Sequence, residues 1–260
     1  MTMIVALAAA LRVFSADFCA DQYVLALADK GDIAALSPDA EKDFSFMRKR
    51  AAGVPQHRAE AEAAIASGAD IILRFWGGDA RRFERLGLKV VTLDYASDFE
   101  GVAADVEKAA VALGEEERGR RIITGMNARL EALKEKGPSG KAALYVTPGG
   151  VTAGANTMID AIFSAAGVSN AAAEAGLSYW PPISAETLVA DPPAFIVAGF
   201  FSANSERVNH WSAARHPAIR QVLRETPHVF LDTDVLSCPG WYSVEAAEKI
   251  RASLNAKATK

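Results

Sequence analysis

Apolar and polar positions alternate along the chain in two blocks of similar pattern. Apolar runs with the length of β-strands are separated by segments in which apolar residues recur every three or four positions, as in amphipathic helices. The clearest run, ADIILRF at 69–75, is almost continuously apolar, which is typical of a parallel strand covered on both faces. The pattern predicts strands at 12–15, 33–36, 69–75, 89–94, 142–147, 195–200 and 228–232, and helices at 22–30, 59–67, 79–86, 158–166, 184–189 and 243–256.

The stretch at 98–136 reads as helix throughout and separates the two blocks. Its second part, at 115–137, has acids in the first turn and lysines in the last, an order that suits the helix dipole. A helix of that length spans about 30 Å and would act as a strut, although Gly119 and Gly125 each cost about 1 kcal/mol relative to alanine. The alternative is an ordinary surface helix of a single large domain.

Strand and helix alternate on both sides of this stretch, which favours two lobes over one large domain. We therefore predict an α/β protein with two Rossmann-like lobes, each with a short parallel sheet, and a ligand cleft between the lobes. The expected boundaries are an N-terminal lobe at 11–114, a linking helix at 115–137 and a C-terminal lobe at 138–260.

Composition and the amino end narrow the class of protein. Among the 260 residues, 28 Lys and Arg face 32 Asp and Glu, and the basic residues are dispersed, which argues against a nucleic-acid partner. The apolar run at 3–11 resembles the hydrophobic part of a secretory signal but lacks its positive start. We expect residues 1–10 to be a signal-peptide remnant from a truncated or misassigned start, with a mature chain beginning near Leu11. The alternative is a first strand lengthened by alanines.

Residues that follow the predicted strands are the candidates for ligand binding, because open α/β sheets bind ligands at the carboxyl ends of their strands. These positions and the turn SYWPP are rich in aromatic residues and glycine, and flat apolar faces suit a large, partly apolar ligand. Each aromatic side chain alone is better explained by packing onto the core, but their convergence on one side of both sheets favours a cleft. The candidates are Asp17, Phe18, Cys19, Phe75, Trp76, Gly77, Tyr95, Gly149, Gly150, Tyr179, Trp180, Phe200, Phe201, Trp211, Pro239, Gly240, Trp241 and Tyr242.

Motifs for catalysis and metal binding are weak. The chain has no G-x-S-x-G elbow, no G-x-x-x-x-G-K-[ST] loop and no G-x-G-x-x-G fingerprint. The loop GGVTAG at 149–154 fits a turn that lets the backbone approach a ligand as well as it fits a phosphate loop. The four histidines, His57, His210, His216 and His228, are scattered without the spacing of a protein-built metal site.

Several segments together resemble class III periplasmic substrate-binding proteins, the receptors of ABC importers for ferric siderophores, haem and vitamin B12. The segments are RVFSADFCADQYVLAL, SGADIILRFWGGDARRFERLGLKVVTLD, the 115–137 helix, YVTPGGVTAGANTMIDAIFSAAGVSNAAAEAG and HPAIRQVL with the terminal helix. The resemblance implies two lobes joined by one long rigid helix. It also implies a monomer in the periplasm that binds without catalysing, has no cofactor of its own, and delivers its ligand to an ABC importer permease dimer in the inner membrane.

The same resemblance implies a metal chelate as the ligand. The WGGDA turn is most similar to that of vitamin B12 receptors, in which a tryptophan, here Trp76, packs on the ligand. We therefore expect a cobalamin-type corrinoid first and a ferric siderophore second. The helix after this turn is about one turn shorter than in those receptors, and DFCADQ and SCPGWY fit a less characterised branch. The alternatives are an enzyme or metallocluster scaffold on the same fold, and a receptor for bare zinc or manganese ions.

The resemblance also assigns roles to charged residues and cysteines. Arginines that would bind a catecholate siderophore, or alternatively point to solvent, are Arg74, Arg81, Arg82 and Arg207. One acidic residue per lobe docks to the transporter in this family, and Glu84 and Glu206 lie in suitable helices. Cys19 and Cys238 would lie at the cleft, where they form a disulfide or contact the metal of the ligand. The alternative is two buried small apolar residues.

Overall fold

The computed structural model describes residues 11–183, 185–190, 192–200, 221–222 and 224–254. The chain divides into two compact units. The first consists of Met1–Asp94 and Val106–Gly119, and the second of Tyr95–Asp105 and Arg120–Lys260. Each unit contains one sheet of parallel strands with helices, so the predicted α/β fold with two lobes is confirmed. The lobe boundaries expected from the sequence remain a prediction.

The sheet of the first unit has the strand order β2-β1-β3-β4, with all neighbouring strands parallel. Its inner strands are buried on both faces, as their continuous apolar runs predict. The strands are β1 Val13–Ser15, β2 Ile33–Ala35, β3 Ile71–Arg74 and β4 Lys89–Thr92. The helices are α1 Phe18–Leu27, α2 Arg48–Ala51, α3 Ala61–Ala66 and α4 Ala80–Arg85. A core that includes Phe14, Ile72 and Phe83 holds these layers together.

The stretch expected to be one helix over 98–136 is two helices, α5 Phe99–Leu113 and α6 Glu116–Lys134. The break falls at Gly114, whose φ of +73° is a left-handed conformation that ends α5. A helix, α6, therefore lies within the range expected for the linking helix, 115–137, but it does not run unbroken from 98. Its role as a link between lobes remains a prediction. The division into units crosses both helices, so each helix contributes residues to both units.

The beginning of α6 is fixed within the first unit by close packing and by one arginine. A Cβ atom at Gly119 would lie 2.5 Å from the Cβ of Ala110, so the glycine lets α6 approach α5 closely. The Arg118 guanidinium donates a hydrogen bond to the Leu27 carbonyl at the end of α1 and pairs with Asp29 at 2.9 Å. Gly119, which lowers helix propensity in the sequence, thus has a packing role in the fold.

The sheet of the second unit repeats the same topology, with the order β6-β5-β7-β8 and parallel neighbours throughout. The strands are β5 Ala142–Val146, β6 Ser169–Asn170, β7 Phe195–Ala198 and β8 His228–Phe230. The helices are α7 Met158–Ala166, α8 Ala171–Glu174, α9 Ala185–Ala190, α10 Thr233–Leu236 and α11 Val244–Ser253. Thr157 caps the start of α7, and Gly167 with φ +72° ends it.

Two arginines tie α11 to the rest of the second unit. Arg129 on α6 donates two hydrogen bonds, at 2.8 and 2.6 Å, to the Glu248 carboxylate on α11. This pairing raises the pKa of Arg129 and lowers that of Glu248. Arg251 donates to the carbonyls of Lys136 and Gly137, each at 2.7 Å, where α6 has ended. No helix in the described part of the chain is both long and apolar enough to span a membrane.

Candidate functional site

A pocket of about 270 Å³ opens at the carboxyl ends of β5 and β7 in the second unit. The two strands are neighbours, and the strand order changes direction between them, which is where open α/β sheets bind ligands. Four residues expected from the sequence to bind ligand line it: Tyr95, Trp180, Phe200 and Pro239. The rest of the described lining is Tyr145, Thr147, Met158, Ile159, Ile162, Val235, Leu236, Ser237, Cys238 and Ser243.

Four aromatic residues, Tyr95, Tyr145, Trp180 and Phe200, belong to the described lining of this pocket. The rings of Tyr145 and Trp180 meet edge to face, with centroids 6.2 Å apart and an angle of 68° between their planes. Trp180 is 48% exposed, and Phe200 is also exposed. Phe200 has a φ of +61°, a left-handed conformation that a bulky residue adopts rarely. Such a strained position just after a central strand is typical of a functional site.

The glycine-rich loop at 149–154 positions the segment that carries Trp180. The Gly154 N–H donates to the Tyr179 carbonyl at 2.8 Å, and the Thr152 N–H donates to the Pro181 carbonyl at 3.0 Å. A Cβ atom at Gly154 would lie only 2.3 Å from the Leu177 carbonyl oxygen. The close approach that Gly154 permits is therefore between two segments of the chain itself.

The other residues predicted in this region lie around the pocket without lining it. Gly149 is exposed, and the buried Gly150 donates to the Thr147 carbonyl at 3.0 Å. Tyr179 is exposed one residue before Trp180 and has a left-handed φ of +60°. The ligand-binding roles of these three residues remain predictions.

The turn after α10 packs one aromatic side chain into the core. Tyr242 is buried and its hydroxyl donates to the Cys238 carbonyl at 3.4 Å. Gly240 leaves room for this ring, because a Cβ atom there would lie 2.5 Å from it. Trp241 packs edge to face on the Tyr242 ring, with centroids 5.2 Å apart. None of these three residues lines the pocket, and their predicted contact with a ligand remains untested.

Uncharged groups form the whole described lining of the pocket. The hydroxyls of Thr147 and Ser237 donate to the carbonyls of Val151 and Thr233, at 3.0 and 2.7 Å. The hydroxyl of Ser243 lies 3.5 Å from the Val235 carbonyl. The Tyr145 hydroxyl has no hydrogen-bond partner among the described residues. The pocket can therefore hold an apolar or aromatic group and offer it one polar contact.

In the first unit, Asp17 organises the turn that carries Trp76. One oxygen of its carboxylate accepts hydrogen bonds from the backbone N–H groups of Phe75, Trp76 and Gly77 at 2.8, 3.0 and 2.9 Å. The other oxygen accepts from the Ala20 N–H at 2.9 Å and so caps α1. Asp17 is only 6% exposed. In the structure Asp17 positions the turn, and its expected contact with the ligand remains a prediction.

The same turn presents an aromatic face, formed by Phe18, Phe44 and Trp76. The Phe18 ring meets the rings of Trp76 and Phe44 edge to face, with centroids 5.6 and 5.2 Å apart. Trp76 is 48% exposed, while Phe75 is buried beneath it. Arg74 supports the turn from below, because its guanidinium donates to the Trp76 carbonyl at 2.7 Å. Phe44 was not predicted for this face, since nothing in the sequence places it beside Phe18.

Gly77 makes the Trp76 turn possible. A Cβ atom at this position would lie 2.1 Å from the Ala16 carbonyl oxygen, well inside contact distance. The glycine therefore lets the turn approach the end of β1. This steric role accounts for the residue without a ligand, and its predicted ligand contact remains a prediction.

Both cysteines are buried, and neither is a free thiol in the structure, because each is in disulfide form. The alternatives in which they are free, as metal ligands or as two small apolar residues, are therefore wrong. The buried Cys19 lies in the first turn of α1, and Cys238 lies in the wall of the second-unit pocket.

The remaining charged candidates are spread over the surface or lie outside the described residues. Arg81, Arg82 and Glu84 are exposed on α4, and Arg82 pairs with Glu62. Phe201, Glu206, Arg207, His210, Trp211 and His216 lie outside the described residues. Within the described ranges, no three His, Cys, Asp or Glu side chains are grouped so that they would share a metal ion.

Comparisons with known proteins agree with this architecture. The chain is similar to the periplasmic haem-binding protein RhuT of Roseiflexus sp. RS-1 in apo form, at 20% identity and a TM-score of 0.71, over 94% of this chain and 99% of that chain. It is similar to the haem-binding protein HutB of Vibrio cholerae at 18% identity and a TM-score of 0.76, over 94% and 99%. A third similar structure is the ABC-type Fe³⁺-hydroxamate transport system of Saccharomonospora viridis, at 17% identity and a TM-score of 0.68, over 94% and 93%.

These identities show a shared fold. No curated protein matches the chain in sequence. The profile of the family described as periplasmic binding protein matches residues 70–216, which is more than half of the chain. The family suggested by the sequence segments is thus confirmed, and the chain belongs to the periplasmic binding protein family.

Proposed function

We propose that the chain is a periplasmic substrate-binding protein that captures a metal chelate and delivers it to an ABC importer. The observation that carries this proposal is the second-unit pocket, whose described lining is aromatic and apolar and contains no charged side chain. Aromatic faces without charges suit a large ligand with a flat, apolar surface better than they suit a phosphate or a free ion. In this proposal the chelate is the cargo, and the protein carries no cofactor and catalyses no reaction.

A tetrapyrrole chelate of the corrinoid or haem type is the first candidate for the ligand, and a ferric hydroxamate siderophore is the second. The WGGDA turn around Trp76 supports a corrinoid. The names of the similar proteins RhuT and HutB support haem, and the third similar structure supports a ferric hydroxamate. A catecholate chelate stays a third candidate: Arg81 and Arg82 are exposed on α4, Arg74 donates to the Trp76 carbonyl, and Arg207 lies outside the described residues.

The size of the pocket indicates that it holds only part of such a ligand. Complete sites for small molecules commonly enclose about 300–1,000 Å³, and this pocket has about 270 Å³. The aromatic face of Phe18, Phe44 and Trp76 in the first unit is proposed as a further ligand-contacting surface. A receptor for bare zinc or manganese is less well supported, since the described residues include no group of three metal-binding side chains.

The disulfide state of the two cysteines supports the proposed location, because disulfides persist in oxidising compartments such as the periplasm. Delivery to an ABC importer permease dimer is proposed from the family. Glu84, which is exposed on α4, is the docking residue proposed in the first unit. Its proposed counterpart Glu206 lies outside the described residues.

The first test is to titrate the purified chain with cobalamin, haem, ferrioxamine B and a ferric catecholate. Binding is followed by tryptophan fluorescence, corrected for ligand absorbance, and by the absorption spectrum of the ligand. We expect saturable binding of one of the first three. We expect Trp180→Ala to weaken it about tenfold, because stacking and apolar contact are lost. Trp76→Ala tests the aromatic face of the first unit in the same way.

Leu177→Ala is the matched control, because Leu177 is an exposed apolar residue on the same segment that does not line the pocket. It should bind like the wild type. Absence of saturation with all four chelates would contradict the proposed function. Stoichiometric zinc or manganese retained after dialysis would favour the bare-ion receptor instead.

A further inference from the structure

Tyr145, in the wall of the second-unit pocket, carries one polar atom that the described part of the chain leaves without a hydrogen-bond partner. Tyr145 lies on the inner strand β5, is fully buried and lines the pocket. Its hydroxyl has no hydrogen-bond partner among the described residues. Burying a hydroxyl without a partner costs about 1–3 kcal/mol, so phenylalanine would fill the same space at lower cost. Folding alone therefore does not explain the hydroxyl.

The surroundings of this hydroxyl are built to make room for it. A Cβ atom at Gly199, just after β7, would lie 2.1 Å from the Tyr145 hydroxyl oxygen. Any other residue at 199 would displace the tyrosine. The ring is held from a second side by its edge-to-face contact with Trp180, at 6.2 Å between centroids. The hydroxyl is thus held in place at the carboxyl end of the sheet.

The serine and threonine hydroxyls in the described lining already form hydrogen bonds within the chain, unlike the Tyr145 hydroxyl. Thr147 and Ser237 donate to backbone carbonyls at 3.0 and 2.7 Å. Ser243 lies between the Val235 carbonyl and the Gly240 N–H, at 3.5 and 3.4 Å. Among Thr147, Ser237, Ser243 and Tyr145, only the Tyr145 hydroxyl is therefore left to donate a hydrogen bond to a ligand.

The chemistry of the pocket selects the kind of acceptor. Burial raises the pKa of Tyr145, so the phenol stays protonated at neutral pH and acts as a donor. An ionised carboxylate placed against one neutral donor in an uncharged wall would pay a large desolvation cost. An uncharged carbonyl oxygen pays much less, and one hydrogen bond offsets most of it.

We propose that the Tyr145 hydroxyl donates a hydrogen bond to an uncharged carbonyl oxygen of the bound chelate. The pocket would then select chelates that present an amide or hydroxamate carbonyl beside an apolar surface. This inference rests on the proposed function and narrows it. It places amide-bearing corrinoids and ferric hydroxamates ahead of haem, whose peripheral oxygens belong to carboxylates.

The test compares Tyr145→Phe with the wild type, using cobalamin, ferrioxamine B and haem as probes in separate titrations. The first two probes carry amide or hydroxamate carbonyls, and haem does not. We expect the variant to bind cobalamin or ferrioxamine B about three- to tenfold more weakly, the range expected for one lost hydrogen bond. Its affinity for haem should equal that of the wild type.

A second measurement, of stability without ligand, checks that the hydroxyl is unused in the fold. Tyr145→Phe should unfold at the same denaturant concentration as the wild type or at a higher one. The control Tyr242→Phe should unfold at a lower concentration, because the buried Tyr242 hydroxyl donates to the Cys238 carbonyl. A lower midpoint for Tyr145→Phe would overturn the inference.

The binding outcomes separate this inference from the proposed function. If the wild type binds cobalamin or ferrioxamine B and the variant binds it equally well, the hydrogen bond is disproved and the proposed function stands. If the wild type binds haem alone, the inference is likewise overturned and the proposed function stands. If the wild type binds only the ferric catecholate, the inference fails and the proposed function stands. If it binds none of the four chelates, both fail.

Discussion

Asp17 and Asp21 lie one helical turn apart at the start of α1, and the fold uses the two carboxyl groups in opposite ways. Asp17 accepts four backbone hydrogen bonds and fastens the Trp76 turn. Asp21 is fully buried and accepts hydrogen bonds from the Ser37 N–H and hydroxyl at 3.0 and 2.6 Å. Burial outweighs these hydrogen bonds and raises the pKa of Asp21 from its ordinary 3.8 to about 7.

Asp21 should make the stability of the protein depend on pH. Its pKa is higher in the folded chain than in the unfolded chain, so the folded chain binds more protons between about pH 4 and pH 7. The contribution to stability is complete below pH 4 and is lost as the pH rises through 7. We expect the free energy of unfolding to fall across this window by up to about 1.4 kcal/mol per pH unit. Denaturant unfolding at a series of pH values measures the slope.

The variant Asp21→Asn isolates this contribution, since asparagine has the shape of the protonated acid and cannot ionise. Its free energy of unfolding should vary less with pH than that of the wild type between pH 4 and 7. Asp43→Asn serves as the matched control, because Asp43 lies in an exposed turn of the same unit, and its unfolding is measured over the same pH range. Parallel curves for the wild type and Asp21→Asn would show that Asp21 ionises normally.

At the residue scale, the sequence identified the aromatic residues in turns as candidates. It did not identify the pocket-lining residues that lie within strands and helices. Trp180, Phe200 and Tyr95 follow strands or lie in turns, where an aromatic side chain is conspicuous. Tyr145 lies within an apolar strand, where period-two alternation does not distinguish a core face from a pocket face. Ile159 and Ile162 on α7 have the same ambiguity, because an amphipathic helix presents one stripe to core and pocket alike.

At the element scale, the loop at 149–154 and the segment at 177–183 behave as one backbone-paired support for Trp180. The pairing depends on Gly154, whose missing side chain leaves room for the Leu177 carbonyl. Gly149, five residues earlier, has only the Thr147 hydroxyl oxygen near its missing Cβ atom, at 3.9 Å. The two glycines therefore form a matched pair with the same chemistry and different surroundings.

Gly154→Ala should separate the two segments and displace Trp180. We expect a loss of about 1–3 kcal/mol in the free energy of unfolding, typical of a forced steric overlap, and weaker chelate binding. Gly149→Ala should be close to neutral in both measurements. Denaturant unfolding and the chelate titration provide the two readings. Equal effects of the two substitutions would contradict the steric account.

Most elements follow from the sequence pattern, and the exceptions have local causes. Helix α1 begins at Phe18, earlier than periodicity indicates, because the Asp17 carboxylate caps it. The stretch at 98–136 breaks at Gly114, whereas the pattern pointed to Gly119 and Gly125 as the weak positions of the helix. Helix propensity treats these glycines alike, and only the fold shows that Gly114 ends a helix while Gly119 permits close packing.

At the scale of the whole molecule, repeated strand–helix alternation was sufficient to predict two α/β lobes, and the quoted segments were sufficient to predict the family. The identity of the ligand was not predictable to the same degree. It depends on which side chains the ends of β5 and β7 bring together, and on whether their polar groups are already used within the chain. Sequence spacing contains neither kind of information.

The chain has only two cysteines, Cys19 and Cys238, and neither is a free thiol. We therefore predict that they form one disulfide with each other. Titration of the unreduced, denatured chain should find no thiol, and a non-reducing peptide map should find both cysteines in one linked fragment. Closing a loop of about 220 residues should stabilise the protein by about 5 kcal/mol in the chain-entropy model.

Comparing the free energy of unfolding of the reduced, alkylated chain with that of the oxidised chain measures the stabilisation by the disulfide. The double variant Cys19→Ser, Cys238→Ser provides the same comparison without a reductant. Two thiols per chain in the unreduced sample would contradict the prediction. A smaller loss of stability would leave the disulfide in place and indicate residual structure in the reduced, unfolded chain.

The described lining of the second-unit pocket carries no charge, which bears on the rate of ligand capture and on its dependence on salt. If no charged group outside the described lining steers it, a chelate should bind at the unassisted rate of about 10⁵–10⁶ M⁻¹s⁻¹, and tight binding would then come from slow dissociation. Dissolved salt screens charges and leaves apolar contacts largely unaffected. The rate and affinity of ligand binding to such a pocket should therefore be similar at low and at high salt concentration.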